Sequence, residues 1–159
     1  MPEIIKQKAR AILFDRQGRL VLIKRTRPGR APYWTTAGGG VEPEDDSVEA
    51  ALHREVFEEL GGRVDRVREV VVLTDERPEG TLVQHVFVAR LTEMDPSSRT
   101  GPEFSDPTRG TYETVVLPST DTALRSISLL PDSLARFLEG NLRDLRDLVA
   151  DPRTETPRG

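Results

Sequence analysis

Glu55, Glu58 and Glu59 stand three and four positions apart in the stretch Arg54-Glu55-Val56-Phe57-Glu58-Glu59-Leu60-Gly61. Helical positions advance by about 100° each, so on a helix the three carboxylates fall within one wedge of roughly 100°. Leu52, Val56 and Leu60 form an adjacent i, i+4, i+8 stripe that must pack inward, which sets the acidic wedge along the edge of the buried face, opening on a cleft. As plain surface charge this arrangement is unfavourable. Glu55 repels Glu58 and Glu59 by roughly 0.2–0.5 kcal/mol per pair, with Arg54 to Glu58 the one evident relief and in the poorer orientation. Glu58 and Glu59 also occupy the last turn, where the helix dipole disfavours anions by roughly 0.3–1 kcal/mol each. Coordination of a hard divalent cation turns the repulsion into attraction: Mg²⁺, with Mn²⁺ as a substitute, takes one or two carboxylates, waters and the phosphate oxygens of a substrate.

The elements that must hold this wedge can be read around it. Residues 47 to 60 form the helix, with Asp46 or Ser47 as N-cap and Gly61-Gly62 as the stop. Ahead of it, residues 8 to 14 and 20 to 25 are strands flanking the hairpin turn Asp15-Arg16-Gln17-Gly18. A loop over 26 to 32 leads to a short strand, Tyr33-Trp34-Thr35-Thr36, which runs into Gly38-Gly39-Gly40. After the helix, residues 67 to 74 and 81 to 91 form a second hairpin across Asp75 to Gly80. Thr92 to Gly110, rich in Pro, Ser, Asp and Gly, is a long surface loop, followed by a strand at 112 to 117. Pro131 to Val149 forms one helix with the apolar stripe Leu134, Leu138, Leu142, Leu145 and Val149, which is core or the contact of a homodimer; Gly140 weakens that helix. The economical fold is α+β, a mixed sheet with helices packed on it, in one domain over residues 1–150 with a frayed tail over 151–159.

Composition narrows the function. The 159 residues suit one domain, and the 36% hydrophobic and 31% charged content is that of a globular chain. No apolar run approaches the roughly 20 residues of a membrane helix, and Met1-Pro2-Glu3 does not begin a secretory signal, so no membrane partner and a cytoplasmic address are expected. A net charge of −4 argues against broad nucleic-acid binding and leaves a small phosphorylated ligand open. With no cysteine and only His53 and His85, thiolate and imidazole metal sites are excluded, and any metal is oxygen-bound. Both histidines read as structural.

The acidic helix is part of a longer pattern: Gly40, five residues, Asp46, seven residues, then Arg54-Glu55-Val56-Phe57-Glu58-Glu59-Leu60-Gly61. This resembles the Nudix box, which reads Gly, five residues, Glu, seven residues, Arg-Glu-aliphatic-any-Glu-Glu-any-Gly-aliphatic. Asp46 and Gly62 depart from it, and Gly39 competes with Gly40 for the first box position, since the glycine-to-acid loop looks one residue long. The resemblance implies an α/β/α sandwich with a mixed β-sheet flanked by helices, and a hydrolase that cleaves a diphosphate linkage in a nucleoside diphosphate joined to another group. By the same resemblance Glu55, Glu58 and Glu59 bind metal, Arg54 orients the acids, and the Gly40 region supplies backbone to the metal site. Asp46 is either an N-cap or a contact of that site. A non-catalytic, nucleotide-binding regulatory domain is the rival reading, but such a domain usually loses the metal carboxylates. An isopentenyl-diphosphate isomerase on the same fold is expected to need a cysteine that this chain lacks.

For the small-molecule nucleotide substrate, Trp34 (with Tyr33) is the candidate base-stacking residue, core packing being its alternative, and Arg25, Arg27 and Arg30 are candidate phosphate donors. Glu103 or Asp106, in the long loop, is the candidate base that activates water, with Glu93 and Glu113 as further candidates.

Overall fold

The computed structural model describes residues 3–98 and 107–150. Strands β1 (Ile4–Phe14) and β2 (Leu20–Thr26) form the expected hairpin. Its turn is held by the Asp15 carboxylate, which accepts from the backbone N–H groups of Gln17 and Arg19 at 2.9 Å each. The two strands stay paired only at Leu13↔Val21 and Phe14↔Leu20. Beyond that they diverge and take new partners: β3 (Tyr33–Thr35) pairs with β2, and β4 (Ala37–Gly40) pairs antiparallel with Lys8 to Ala11 of β1. On its other edge β1 runs parallel to β6 (Gly80–Met94), which pairs antiparallel with β5 (Gly62–Arg77), while β2 carries β7 (Thr111–Leu117) on its far side. The result is a mixed seven-stranded sheet.

Both faces of the central strands are covered, which explains their unbroken apolar runs. Ala9, Ala11 and Leu13 of β1, Val21 and Ile23 of β2, and Phe87, Ala89 and Leu91 of β6 pack with Ala51, Leu52, Val56 and Leu60 of helix α1 (Val48–Leu60). The alternate residues Ile12, Phe14, Leu20, Leu22, Val86 and Val88 pack on the opposite face. There they meet Leu124 of α2 (Asp121–Arg125), Leu134 and Leu138 of α3 (Asp132–Leu138), and Leu142, Leu145 and Val149 of α4 (Leu142–Val149). This is a sheet between two helical layers, as expected. Among the described residues no helix is long and apolar enough to cross a membrane.

The structure differs from the sequence reading in several places. The helix expected over Pro131 to Val149 is two helices, broken at Gly140 (φ +83), whose N–H donates to the Asp121 carboxylate at 3.1 Å. Its apolar stripe nevertheless stays on one side and is buried, from 0 to 5% exposed, so it is core rather than the contact of a dimer. The glycine run is a strand, β4, because extended backbone can pair with the free edge of β1 whatever its side chains. Thr92 to Met94 continue β6 instead of beginning a loop, and the second hairpin closes across Pro78 and Glu79 alone, with Arg77 opposite Gly80. α2 has only five residues, too few for a periodic signal.

Truncating Leu138, which is fully buried between α3 and the sheet, tests the assignment of the stripe. Leu138→Ala should lower unfolding free energy by about 2–5 kcal/mol in urea titrations and leave the sedimentation behaviour of the folded protein unchanged; a change of oligomeric state at native stability would return the stripe to a dimer contact.

Candidate active site

Helix α1 begins at Ser47, whose extended backbone (φ −160°, ψ 169°) and hydroxyl, accepting from the Ala50 N–H at 3.0 Å, make it the N-cap. Asp46 is therefore not the cap; it is exposed. The helix ends where Gly61 turns left-handed (φ +59) and donates to the Phe57 carbonyl at 2.8 Å. A side chain at Gly61 would fall 1.8 Å from the Asp95 carbonyl oxygen, so glycine is required there both for its φ and for the close approach. Between these ends the apolar stripe docks the helix on the sheet, and the acids lie beside it. Glu59 is buried, while the Glu55 side chain is 13% exposed and that of Glu58 29%, an order that follows their distance round the helix from the buried face.

Arg54 organises these acids. Its Nε and Nη2 donate to the two carboxylate oxygens of Asp45 at 3.0 and 2.9 Å, and Nη2 also reaches the Gly40 carbonyl at 3.0 Å. Nη1 donates to Glu55 Oε1 at 3.0 Å and Glu58 Oε2 at 3.3 Å. The acid that locks Arg54 is thus Asp45, with its side chain 7% exposed, and not Asp46, the residue at the box spacing. The loop accounts for this substitution: Asp45 also accepts from the Glu42 N–H at 2.8 Å, so a tight turn aims its carboxylate at the helix and leaves its neighbour outside. The Arg54 hydrogen bond holds the Asp45 carboxyl below its ordinary range, assisted by the Glu42 N–H, and Asp45 in turn raises the Arg54 guanidinium. The Glu58 carboxyl is pushed up, first by burial and then by Glu55, despite the opposing pull of Arg54.

The remaining glutamate turns the other way. Glu59 Oε1 accepts from the Gly38 N–H at 3.0 Å. Gly39 lies flat against Glu55, where a Cβ would come within 2.6 Å of Oε1, so the bare β4 backbone lets the helix acids approach the sheet. Glu55, Glu59 and Gly38 line one side of a cleft of about 820 Å³ that opens where β1 and β2 diverge. Glu58 is not among the lining residues and faces Arg54. Among the described residues no three acid or imidazole side chains converge as a preformed metal cage. The donor set is all carboxylate and carbonyl oxygen, and Glu58 carries a charge that its surroundings disfavour, both of which suit a hard cation that keeps water and substrate in its shell.

The candidate substrate residues divide. Arg25 lines the cleft, its guanidinium lying 3.6 Å from the centre of the Tyr112 ring and its Nη2 donating to the Arg109 carbonyl at 2.8 Å. Strand alternation places Tyr33 and Thr35 in the cleft and turns Trp34 into the opposite core, where it packs with the α2–α4 layer beneath Lys24. The aromatic surface available to a base is therefore Tyr33 rather than Trp34. Arg27 and Arg30 sit on the exposed loop and do not line the cleft; Arg30 rests over the Tyr33 ring at 5.3 Å. Glu93 and Glu113 are exposed on strands and also lie outside the lining, and Glu103 and Asp106 fall outside the described residues.

Sequence reasoning missed Asp45, and it missed the basic side of the cleft, Lys8 and Arg10 on β1, Arg77, Arg109 and Arg136. The available signal was Lys8-Ala9-Arg10, two cations alternating into a face that two residues later is wholly apolar. Arg10 donates to the buried Gln84 at 3.0 Å; burial lowers its pKa, while Glu59 and Glu55 oppose that shift.

Residues 5–127 match the family model of the NUDIX domain. Over 98 residues, 58% of this chain and 56% of the relative, the sequence is 36% identical to diphosphoinositol polyphosphate phosphohydrolase 3-alpha of Mus musculus. The chain thus spans about half the length of the curated relatives it matches. Among solved structures, the NUDIX hydrolase from Nitrosomonas europaea superposes with a TM-score of 0.66 at 14% identity over 96% of this chain and 97% of that one. The E. coli ORF135 protein superposes with a TM-score of 0.63 at 24% identity over 87% and 89%. At these identities the structures establish the shared fold.

Exchanging the two neighbouring acids tests the Arg54 lock. Asp45→Asn should lower kcat by about 10- to 100-fold, the usual effect of losing an outer partner of a metal-site residue, whereas Asp46→Asn should stay within about twofold on the same scale. Because the folded Asp45 carboxyl is held down, its contribution to folding is present above the ordinary carboxylate range and is lost as pH falls through its folded value. The melting-temperature gap between wild type and Asp45→Asn should accordingly close on acidification. Equal losses in the two variants would show that Asp45 has no special part.

Proposed function

The chain belongs to the NUDIX family of hydrolases, and from that membership we propose that it cleaves the diphosphate linkage of a nucleoside diphosphate joined to another group, with Mg²⁺ or Mn²⁺ held by the carboxylates of α1. The observation that carries this reading is that Glu55 and Glu59 line the cleft while Arg54 joins Glu55 and the neighbouring Glu58 to the glycine loop, in an arrangement that helix stability alone disfavours. Glu55, Glu58 and Glu59 would hold the cation, together with backbone oxygen of the Gly40 region. When bound it supplies Lewis acidity, polarising the phosphate and lowering the pKa of water.

The chain's own residues do the rest. Arg54 is a positioning residue: by taking oxygens from Asp45, Gly40, Glu55 and Glu58 it fixes the carboxylates before substrate arrives, so little reorganisation is left for the reaction. Arg25, pinned between Tyr112 and the Arg109 carbonyl, presents a pre-oriented guanidinium to a phosphate. Tyr33 offers a ring face to a nucleobase. A second reading, cleavage of a diphosphate on a phosphorylated inositol, follows the names of the curated relatives. It is favoured by one observation: the cleft is lined by six cations, Lys8, Arg10, Arg25, Arg77, Arg109 and Arg136, against four acids, Glu55, Glu59, Asp75 and Asp132.

Glu58→Gln and Glu59→Gln should each lower turnover by at least about a hundredfold, since an amide is a weaker ligand that does not neutralise the cation. Glu59→Gln keeps an oxygen for the Gly38 N–H, so its fold should survive. Without metal, Glu58→Gln should melt at the wild-type temperature or up to about 2 °C higher at neutral pH. Since the folded Glu58 carboxyl is raised, its charge opposes folding above its ordinary pKa, and any gain should vanish as pH falls below that value. Mg²⁺ should raise the melting temperature of wild type and not of the variants. Turnover is read by phosphate or nucleotide release over ADP-ribose, nucleoside triphosphates, sugar nucleotides, dinucleoside polyphosphates and diphosphorylated inositols. Full activity in either variant would remove that glutamate from the metal site, and a purified protein that binds these compounds and hydrolyses none would return the domain to a regulatory binding role.

A further inference from the structure

The protein carries a net charge of −4, yet the lining of its cleft holds more cations than anions. On the hydrolase reading Glu55 and Glu59 are committed to a metal ion, which leaves Asp75 and Asp132 facing six basic groups. Of those two, Asp75 is already engaged with Arg77 at 3.3 Å. Arg25 is stacked on Tyr112 and Arg10 lies beside the glutamates and Gln84, so both have structural reasons for their positions. Lys8, Arg77 and Arg136 do not share those reasons. Among the described residues Lys8 and Arg136 form no ion pair, and Arg77 has only the exposed Asp75 two residues away.

Lys8 lies two residues along β1 from Arg10, on the same face of the strand and about 7 Å from it. It is half-buried, and burial together with Arg10, Lys6 and Arg77 pushes its ammonium down to about 8. A half-buried lysine among like charges weakens the fold unless an anion joins it. Arg77 comes from the end of β5, at the hairpin that passes the start of β1, and Arg136 from α3. The residues thus come from three separate elements, which excludes a simple run of solvated charge along one helix or strand.

We infer that Lys8 and Arg77, with Arg136 lining the same cleft, form a second anion-binding subsite, which takes a phosphate of the substrate that is not part of the cleaved linkage. This deepens the hydrolase reading and rests on it for the identity of the ligand as substrate. It selects the substrate class: compounds that carry a further phosphate beyond the scissile diphosphate. Arg10 lies between the two regions, next to the glutamates on one side and Lys8 on the other.

The subsite can be read without turnover. Wild-type protein in EDTA should bind inorganic tripolyphosphate by calorimetry, with an affinity that falls steeply as salt rises. Lys8→Met and Arg77→Gln should each weaken that binding about tenfold, the loss of one charge-assisted hydrogen bond, and Lys8→Arg should restore most of it; circular dichroism on the same samples confirms folding. In the presence of Mg²⁺ the same two variants should raise KM about tenfold for a substrate with an additional phosphate, such as ADP-ribose 2′-phosphate, with kcat and the KM of plain ADP-ribose little changed. Tripolyphosphate binding that is equal in wild type, Lys8→Met and Arg77→Gln would overturn the subsite. A protein that hydrolyses no diphosphate and still loses anion binding in both variants would keep the subsite and overturn the hydrolase reading.

Discussion

The Arg54 guanidinium is bonded to both oxygens of Asp45, to the Gly40 carbonyl, to Glu55 and to Glu58, and through these bonds it ties the glycine loop to helix α1. A lysine could not do this, because a point ammonium has no planar fork to serve the loop acid and two helix acids in fixed directions. The geometry of the cleft follows from the same knot. With the guanidinium in place the crowding of Glu55 and Glu58 is tolerable, while Glu59 turns the other way, to the Gly38 N–H, and lines the cleft with Glu55. The relief is incomplete: burial first, and Glu55 second, still hold the Glu58 carboxyl above its ordinary range.

The sheet contributes the space. Had β1 and β2 stayed paired over their whole length, no cleft would exist; they part after two register pairs because β4 occupies the edge of β1 and β3 the edge of β2. The gap therefore lies between two strands that are anchored on both faces by separate apolar clusters. The side chains that reach it are polar interruptions in apolar strands: Lys8 and Arg10 precede Ile12 and Phe14 on one face of β1, and Arg25 follows Ile23 on β2. Two of the lining acids, Glu55 and Glu59, come from α1 and the cations mainly from the strands, so the helix side of the cleft is acidic and the strand side mostly basic.

Much of this was fixed by local pattern. The wedge of glutamates, a helix start at Asp46 or Ser47, the stop at Gly61, the hairpin at Asp15 to Gly18 and the apolar stripes of both helical layers all depend on neighbours within a few residues, where the periods of 3.6 and 2 and the chemistry of caps and turns are sufficient. The pattern around Arg54 also identified the family, because its residues are consecutive or separated by fixed spacings. Only the tertiary structure decided the matters that turn on a single residue of loop register or on strands distant in sequence. Asp45 rather than Asp46 meets Arg54, since a tight turn at Glu42 rotates one carboxylate in and the next out. Tyr33 rather than Trp34 faces the cleft, since a strand alternates and the pairing of β3 with β2 sets which parity is inside. Lys8, Arg77 and Arg136 lie far apart in the chain and share one cleft only because β1 runs parallel to β6 while α3 packs over the sheet. No spacing in the sequence carries that information, because it is generated by long-range pairing and by the burial of two apolar faces at once.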